Sequence, residues 1–553
     1  MITFKKNCCF ITALLSMLFI TSFLHAQNFN WVKRVGGLGY EDMRKMCSDP
    51  FGNSYIAFSG GGPQIYFSMD TLQVSGLNDL FILKYDATGN EVWKLKIGGP
   101  NTSWIPAFVE AITSMCYDSS SNCIYVSGIY YQACSIDTIN LSSAPGASRG
   151  FLAKINVDGT IVWAKNFGSM ESVPFFDTDD SGNLYMVFSI STSGTIDTIP
   201  VSSGGYIGKM NNDGTVILIK RICGLSPQYP SSVYNFKKIE VVNDLVFVYG
   251  GSYDSLTLDN ILLPNSNYYS LVVSVWDTSG SILWAKQSDH SETGVGTMCV
   301  DNNKNLYVMD QFNGPFITFD SDTLFANGTK GAYLLKFDKH GNLIWHKTFS
   351  TGGAGIEGAV IDSEGKVYFT GIFLDSLILD NFSLYSSTGI EELFVARFDT
   401  NGNCIGVRQA GSAFGNDILQ NSNGELFVAG TFRNTGTFGS ISISSYGISD
   451  IFLANLNAIT GSGGGNERTY KNQLIIYANP NKGSFRVQLP DAITDLRGAL
   501  LTVCDVQGKE VERFNLENTD ENPQLEINNA TSGFYTVRLV KGKQVFNGKL
   551  VVE

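Results

Sequence analysis

Carboxylates, more than histidines or cysteines, have the number and spacing in this chain to carry chemistry. Glu41-Asp42, Glu110, Glu171, Glu292, Glu357 and Asp417 each stand at or just ahead of a short apolar run, and those runs recur along the sequence. If the runs are equivalent strands around one axis, the acids gather at one mouth of a channel. Such a cluster holds a cation or a cationic ligand, and the bland alternative is a solvated acidic rim. Calcium is the one cofactor this reading admits.

Other chemistries find less support. His25, His290, His340 and His346 lie in unrelated contexts without metal-ligand spacing. No nucleophile elbow or phosphate-binding loop is present. Asp177-Thr178-Asp179-Asp180-Ser181-Gly182 begins like a calcium loop, but Phe188 stands where the closing Glu belongs, so the segment reads as a hairpin turn. Cys47, Cys116 and Cys299 share one repeat position and read as small buried hydrophobes. Cys116 and Cys123 flank one hairpin turn and are the pair to test for a bond. A net charge of -13 argues against nucleic acid or an anionic membrane as partner.

The elements that would position the acids are legible between Gly331 and Phe373. Tyr333, Leu335 and Phe337 alternate with Leu334 and Lys336, the period of a half-buried strand. Asp338-Lys339-His340-Gly341 is a turn, with Asp at its first position and Gly at its fourth. Ile344, Trp345 and Lys347 begin the next strand. A small strand covers Gly358 to Ile361, a second turn Asp362 to Gly365, and a last strand Val367 to Phe369. Four antiparallel strands per copy is the pattern of a propeller blade.

Both punctuating elements recur. A turn residue precedes an aromatic position by seven residues at Asp86/Trp93, Asn156/Trp163, Asp277/Trp284 and Asp338/Trp345; Asn211/Leu218 and Asp399/Gly406 are degenerate copies. The Trp31 strand stands alone with no turn before it. The second turn begins at Asp49, Asp118, Asp179, Asp301, Asp362 and Asn421, with Val242 in the remaining copy. The expected fold is therefore all-β, a seven-bladed β-propeller. The N-terminal Trp31 strand completes the last blade, whose third strand is Asp450 to Leu456, and closure removes two free edges. The Trp-strands are then outermost, and the small strands line the axis.

Residues 1–26 carry Lys5-Lys6, an apolar run from Phe10 to Leu24 and Leu24-His25-Ala26, the layout of a secretory signal peptide. No other stretch is long enough to cross a membrane as a helix. The propeller spans 27–457. A Gly/Ser-rich flexible linker spans 458–470. Residues 471–553 form a second unit of short strands, a small Ig-like β-sandwich. A composition 43% apolar and 12% aromatic suffices for large cores, and 58 Gly against 14 Pro suits many tight turns.

The Trp-Lys…Gly-Gly…Asp-x-x-Gly-Asn-x-Tyr…Gly pattern resembles the secreted bacterial β-propeller repeat family. Residues 471–553 resemble the type A sorting domain of the type IX secretion system. The stretch Tyr477 to Phe485, with Asn479, Pro480 and Gly483, resembles its opening, with Ala478 in place of a proline, and Gly508 and Gly533 fall in its later segments. The resemblance implies a Bacteroidota protein that engages the type IX machinery and crosses the outer membrane by way of the periplasm. It is then secreted or held at the cell surface.

Sialidase Asp-boxes and quinoprotein docking motifs space their Asp, Gly and Trp differently from the three and four residues found here, so the repeat turn reads as structural. The leading expectation is a non-catalytic propeller that binds an extracellular protein or glycan. The alternative is an extracellular polysaccharide hydrolase or lyase on the same scaffold.

Overall fold

The computed structural model describes residues 29–99, 110–144, 147–167, 173–190, 193–224, 235–253, 255–264, 269–289, 296–314, 316–319, 322–325, 330–386, 389–456, 459, 474–477, 482–488, 498–505, 509–516, 523–528, 531–541 and 544–552. The expected signal peptide, the linker apart from Ile459, Glu171 and Glu292 lie outside them.

The first blade shows the plan. Its inner strand Glu41–Ser48 pairs with Ser54–Gly61, which pairs with Asn78–Tyr85, which pairs with the outer strand Glu91–Gly98, all antiparallel. Six further four-stranded units follow. Their inner strands are Ala111–Asp118, Phe175–Thr178, Asn235–Val242, Thr297–Val300, Ala354–Ile361 and the second half of Cys404–Gln420. That last strand serves two blades. Leu393 to Phe398 pairs with its first half and Leu426 to Phe432 with its second, and the chain bends between them at Ser412, whose φ is +56°. Each inner strand packs on the next, and the seventh packs on the first. The ring is closed.

Closure depends on the N-terminal strand. Phe29–Gly37 lies antiparallel to Asp450–Leu456, with Val32 opposite Ala454 and Val35 opposite Ile451. The junction is a complete hydrophobic interface: Val35, Phe427, Ile451 and Leu453 of blade 7 pack with Met43, Ile56, Phe58 and Phe81 of blade 1. Burying an aliphatic or aromatic side chain of this kind contributes about 1.5–3 kcal/mol.

Of the two recurrent turns, one is held from within and the other joins neighbouring blades. Asp49, buried, accepts the amides of Phe51 and Asn53, the Asn53 side chain and the Tyr55 hydroxyl. Asp301 repeats this set with Asn303, Asn305 and Tyr307. In the other turn, the indole of one blade covers the glycine of the next. Trp93 sits against Gly159, Trp284 against Gly341 and Trp345 against Gly402. The Trp93 and Trp284 ring N–H groups donate to Val157 and Lys339 carbonyls, each at 2.9 Å.

One feature was not anticipated from the sequence. Between the second and third strands most blades insert a two-stranded hairpin, for instance Ala133–Ile136 with Ile139–Ser142 and Ser376–Leu379 with Phe382–Tyr385. In blades 1, 2 and 6 this hairpin pairs with the outer strand of the preceding blade.

The C-terminal unit has two sheets. Ile475–Tyr477, Ser484–Gln488 and Gln524–Glu526 form one, and Glu510–Asn515, Leu500–Cys504, Gly533–Lys541 and Gln544–Val552 the other. Phe485, Val487, Leu501, Val503, Val537, Leu539 and Leu550 share one core between them. The Tyr535 hydroxyl donates to the Thr531 carbonyl at 2.7 Å, a tether typical of Ig-like sandwiches.

Candidate functional site

The axial strands are irregular at a fixed place. In five blades the inner strand carries one extra residue: Arg44, Thr113, Lys237, Glu357 and Asn416. Each stands five residues before its blade's turn position. A bulge leaves its residue unpaired and re-aims the side chain, here on the strand nearest the axis.

Charges meet at this level. The carboxyl of Glu357, in blade 6, is raised by burial, lowered by Lys45 and Lys237, and raised again by Asp42 and Asp417. Lys237 belongs to blade 4 and Lys45 to blade 1, with a whole blade between each and Glu357. Only the axial space brings them together. Glu357 is solvent-exposed yet ringed by protein, as a side chain in a wet channel must be.

Its acidic neighbours are already engaged. Asp42 pairs with Arg44 at 2.7 Å. Asp417 accepts the Met46 amide of blade 1 and the amide of the adjoining Ile418, both at 3.0 Å. Among the described residues these three acids therefore meet three bases at this level, Arg44, Lys45 and Lys237. The sequence suggested an acidic mouth; the described residues at this level are of mixed charge, and Glu171 and Glu292 lie outside them.

Glu41 and Glu110 do not join that group. Each is fully buried at a blade junction, where burial outweighs the backbone amides of Gly37 and Gly61 beside Glu41 and of Tyr131 beside Glu110. Burial, with the charge of Asp450, pushes Glu41 up to about 8. Burial, with Asp79, pushes Glu110 up to about 9. The two sites are copies of one design. A second acid opens the third strand, accepts an amide four residues upstream (Tyr446 to Asp450, Ser75 to Asp79), and faces a base on the outer strand (Arg34 or Lys96). Gly36 and Gly98 leave space for that acid, since a Cβ at either would collide with its carboxylate.

The remaining candidates separate. Asp177 accepts the Val241 amide of the next blade at 2.8 Å, while Asp179 clamps its own turn through the Ser181 and Asn183 amides. That segment is a hairpin turn. Cys116 lies opposite Tyr125 and Cys123 opposite Asp118, two rungs apart, and both are free thiols, so the pair singled out for a bond is not bonded. Burial raises the Cys47, Cys116 and Cys299 thiols well above their ordinary range. Among the described residues no three His, Cys, Asp or Glu converge as a metal site. In the C-terminal unit Tyr477 ends a strand, Gly483 has a φ of +99° just before Ser484–Gln488, and Gly533 opens another strand. Asn479, Pro480 and Gly508 lie outside the described residues.

Sequence reading missed the bases Arg44, Lys45 and Lys237 and the partner acids Asp79 and Asp450. The constant five-residue offset from the turn was the signal for the bulge residues.

Comparison with known proteins decides what the C-terminal unit is. Residues 475–553 match the secretion system C-terminal sorting domain. This domain directs export by the type IX secretion system to the cell surface or the extracellular space, and no helix among the described residues is long and apolar enough to cross a membrane.

For the rest of the chain the likenesses are distant. An uncharacterized WD repeat-containing protein of Acanthamoeba polyphaga mimivirus is 21% identical over 505 residues, covering 73% of this chain and 36% of that protein. The chain thus matches about a third of that relative's length. Among solved structures, polysaccharide lyase Uly1 aligns with a TM-score of 0.41 and 11% identity, over 79% of this chain and 94% of its own. The Dos1 propeller aligns with a TM-score of 0.38 and 9% identity, over 77% and 95%. The propeller assignment rests on the strand pairing itself.

Proposed function

We propose that the ring is a non-catalytic binding or scaffold module, carried out of the cell by the sorting domain to engage an extracellular protein or glycan. The observation that supports this is the state of the axial acids. Glycoside hydrolysis needs two available carboxylates flanking the scissile bond. Asp42 is tied to Arg44 and Asp417 to two amides. Glu41 and Glu110 are buried beyond reach of a substrate.

A second reading, an extracellular polysaccharide hydrolase or lyase, is favoured by Glu357. Its carboxyl is raised, open to the channel and near two further acids, as a general acid would be. Incubating the purified chain with a panel of polysaccharides, and measuring binding and product release together, separates the two. The binding reading expects retention without cleavage. Product release by the native chain that Glu357→Gln abolishes would overturn it.

A further inference from the structure

Where the ring closes, two loops are zipped together. The Ile448 amide donates to the Gly39 carbonyl at 3.0 Å, and Tyr40 bridges Ser449 in parallel. Gly447 lies so close to the Leu38 carbonyl that a Cβ there would stand 2.4 Å away. The zipper turns Leu38, Tyr40, Tyr446 and Ile448 outward, with the two tyrosines 48% and 42% exposed.

Tyr446 is held in place before any ligand arrives. The Arg34 guanidinium carbon lies 3.7 Å from its ring centre, and the Tyr66 ring 4.7 Å. Arg433 lies 5.9 Å from the Tyr40 ring centre and 5.2 Å from that of Phe414, and makes no ion pair among the described residues. Ser75 occupies the place of Tyr446 in blade 1, since its amide donates to Asp79 as that of Tyr446 does to Asp450, so blade 1 does not share the aromatic patch.

Exposed tyrosines beside a guanidinium with no ion pair among the described residues are the composition of a recognition surface. The two parts ask for different chemistry. A tyrosine ring packs against an apolar C–H face, and a guanidinium takes a carboxylate through two parallel hydrogen bonds. A uronic-acid polymer presents both along one strand, and its attraction would come from the local Arg433 guanidinium against the chain's overall charge of -13. An extended peptide would need a free strand edge, and here the Gly39 and Ile448 backbone groups are already spent on each other.

We propose that Tyr40 and Tyr446, with Leu38, Ile448 and Arg433, form a platform for an acidic, uronic-acid polysaccharide, while Arg34, paired with Asp450, holds the Tyr446 ring. The proposal rests on the binding-module reading and names its ligand class and its place on the ring.

The test is affinity electrophoresis of the full mature chain through gels holding polygalacturonate, neutral dextran or polyglutamate. Polygalacturonate retards the chain, and the other two do not. Tyr40→Ala and Arg433→Gln each weaken retardation about tenfold without moving the melting temperature, and salt near about 0.5 M does the same. Polygalacturonate binding that neither variant weakens overturns the platform and leaves the binding-module reading intact. Equal retardation by polyglutamate, or none by polygalacturonate, also overturns it. Cleavage of the polymer overturns the binding-module reading itself.

Discussion

The Trp31 indole packs against Gly89, so closely that a Cβ on that glycine would stand 2.7 Å from the ring. The contact joins the N-terminal strand to the blade after the one it completes. Gly89 also has a φ of +80°, which any other residue adopts under strain. Gly89→Ala is therefore expected to lower stability by about 1–2 kcal/mol, more than an alanine costs at an open turn. Urea unfolding measures it, and an unmoved midpoint would count against the inter-blade contact.

The buried acid pairs make stability fall as pH rises. Glu41 and Glu110 bind a proton more tightly folded than unfolded, so from the unfolded value near 4.5 up to about 8 and 9 each added pH unit favours the unfolded chain. Glu41→Gln and Glu110→Gln keep the shape and remove the titration. Each is expected to stabilise the protein by on the order of 2 kcal/mol near neutral pH, with the gain fading toward pH 4.5. Denaturant titrations across that range check the sign. A gain that does not vary with pH contradicts the assignment.

Glu41 and Asp42 show where sequence reading stopped. They are adjacent, so a strand sends them to opposite sides, and one is sealed between blades while the other reaches the axis. Which goes where depends on register and on the bulge at Arg44, and neither follows from local pattern. The repeat turns were legible because Asp and Gly meet their demands within a few residues. Trp31 was legible as an orphan because Asp450–Leu456 lacked a partner. The inserted hairpins were overlooked because their short strands carry little alternation.

Calcium is expected to leave the ring unchanged. Among the described residues the channel acids Asp42, Glu357 and Asp417 lie with Arg44, Lys45 and Lys237, which leaves a cation little net charge to neutralise there. Melting curves with chelator and with millimolar calcium should coincide. A calcium-dependent rise in melting temperature would show a bound ion by mass action and contradict that balance of charge.

The sorting domain is expected to be separable from the ring. The ring closes on its own residues, so a chain ending at Asn457 should fold and remain in the periplasm. Residues 471–553 fused to an unrelated exported protein should carry it to the surface or the medium of a host with the machinery. Cell fractionation decides, and surface delivery of the truncated chain would contradict the role of the C-terminal unit.

Ring closure by the first strand is the claim on which the rest depends, and a cross-link tests it most directly. Val32 and Ala454 are paired across the seam. With both replaced by cysteine, the mature chain should form a bond between those two positions under mild oxidation, detected by peptide mapping after digestion. Its melting should stay cooperative. Failure of the two cysteines to bond in the folded chain would mean that the N-terminal strand does not complete the last blade.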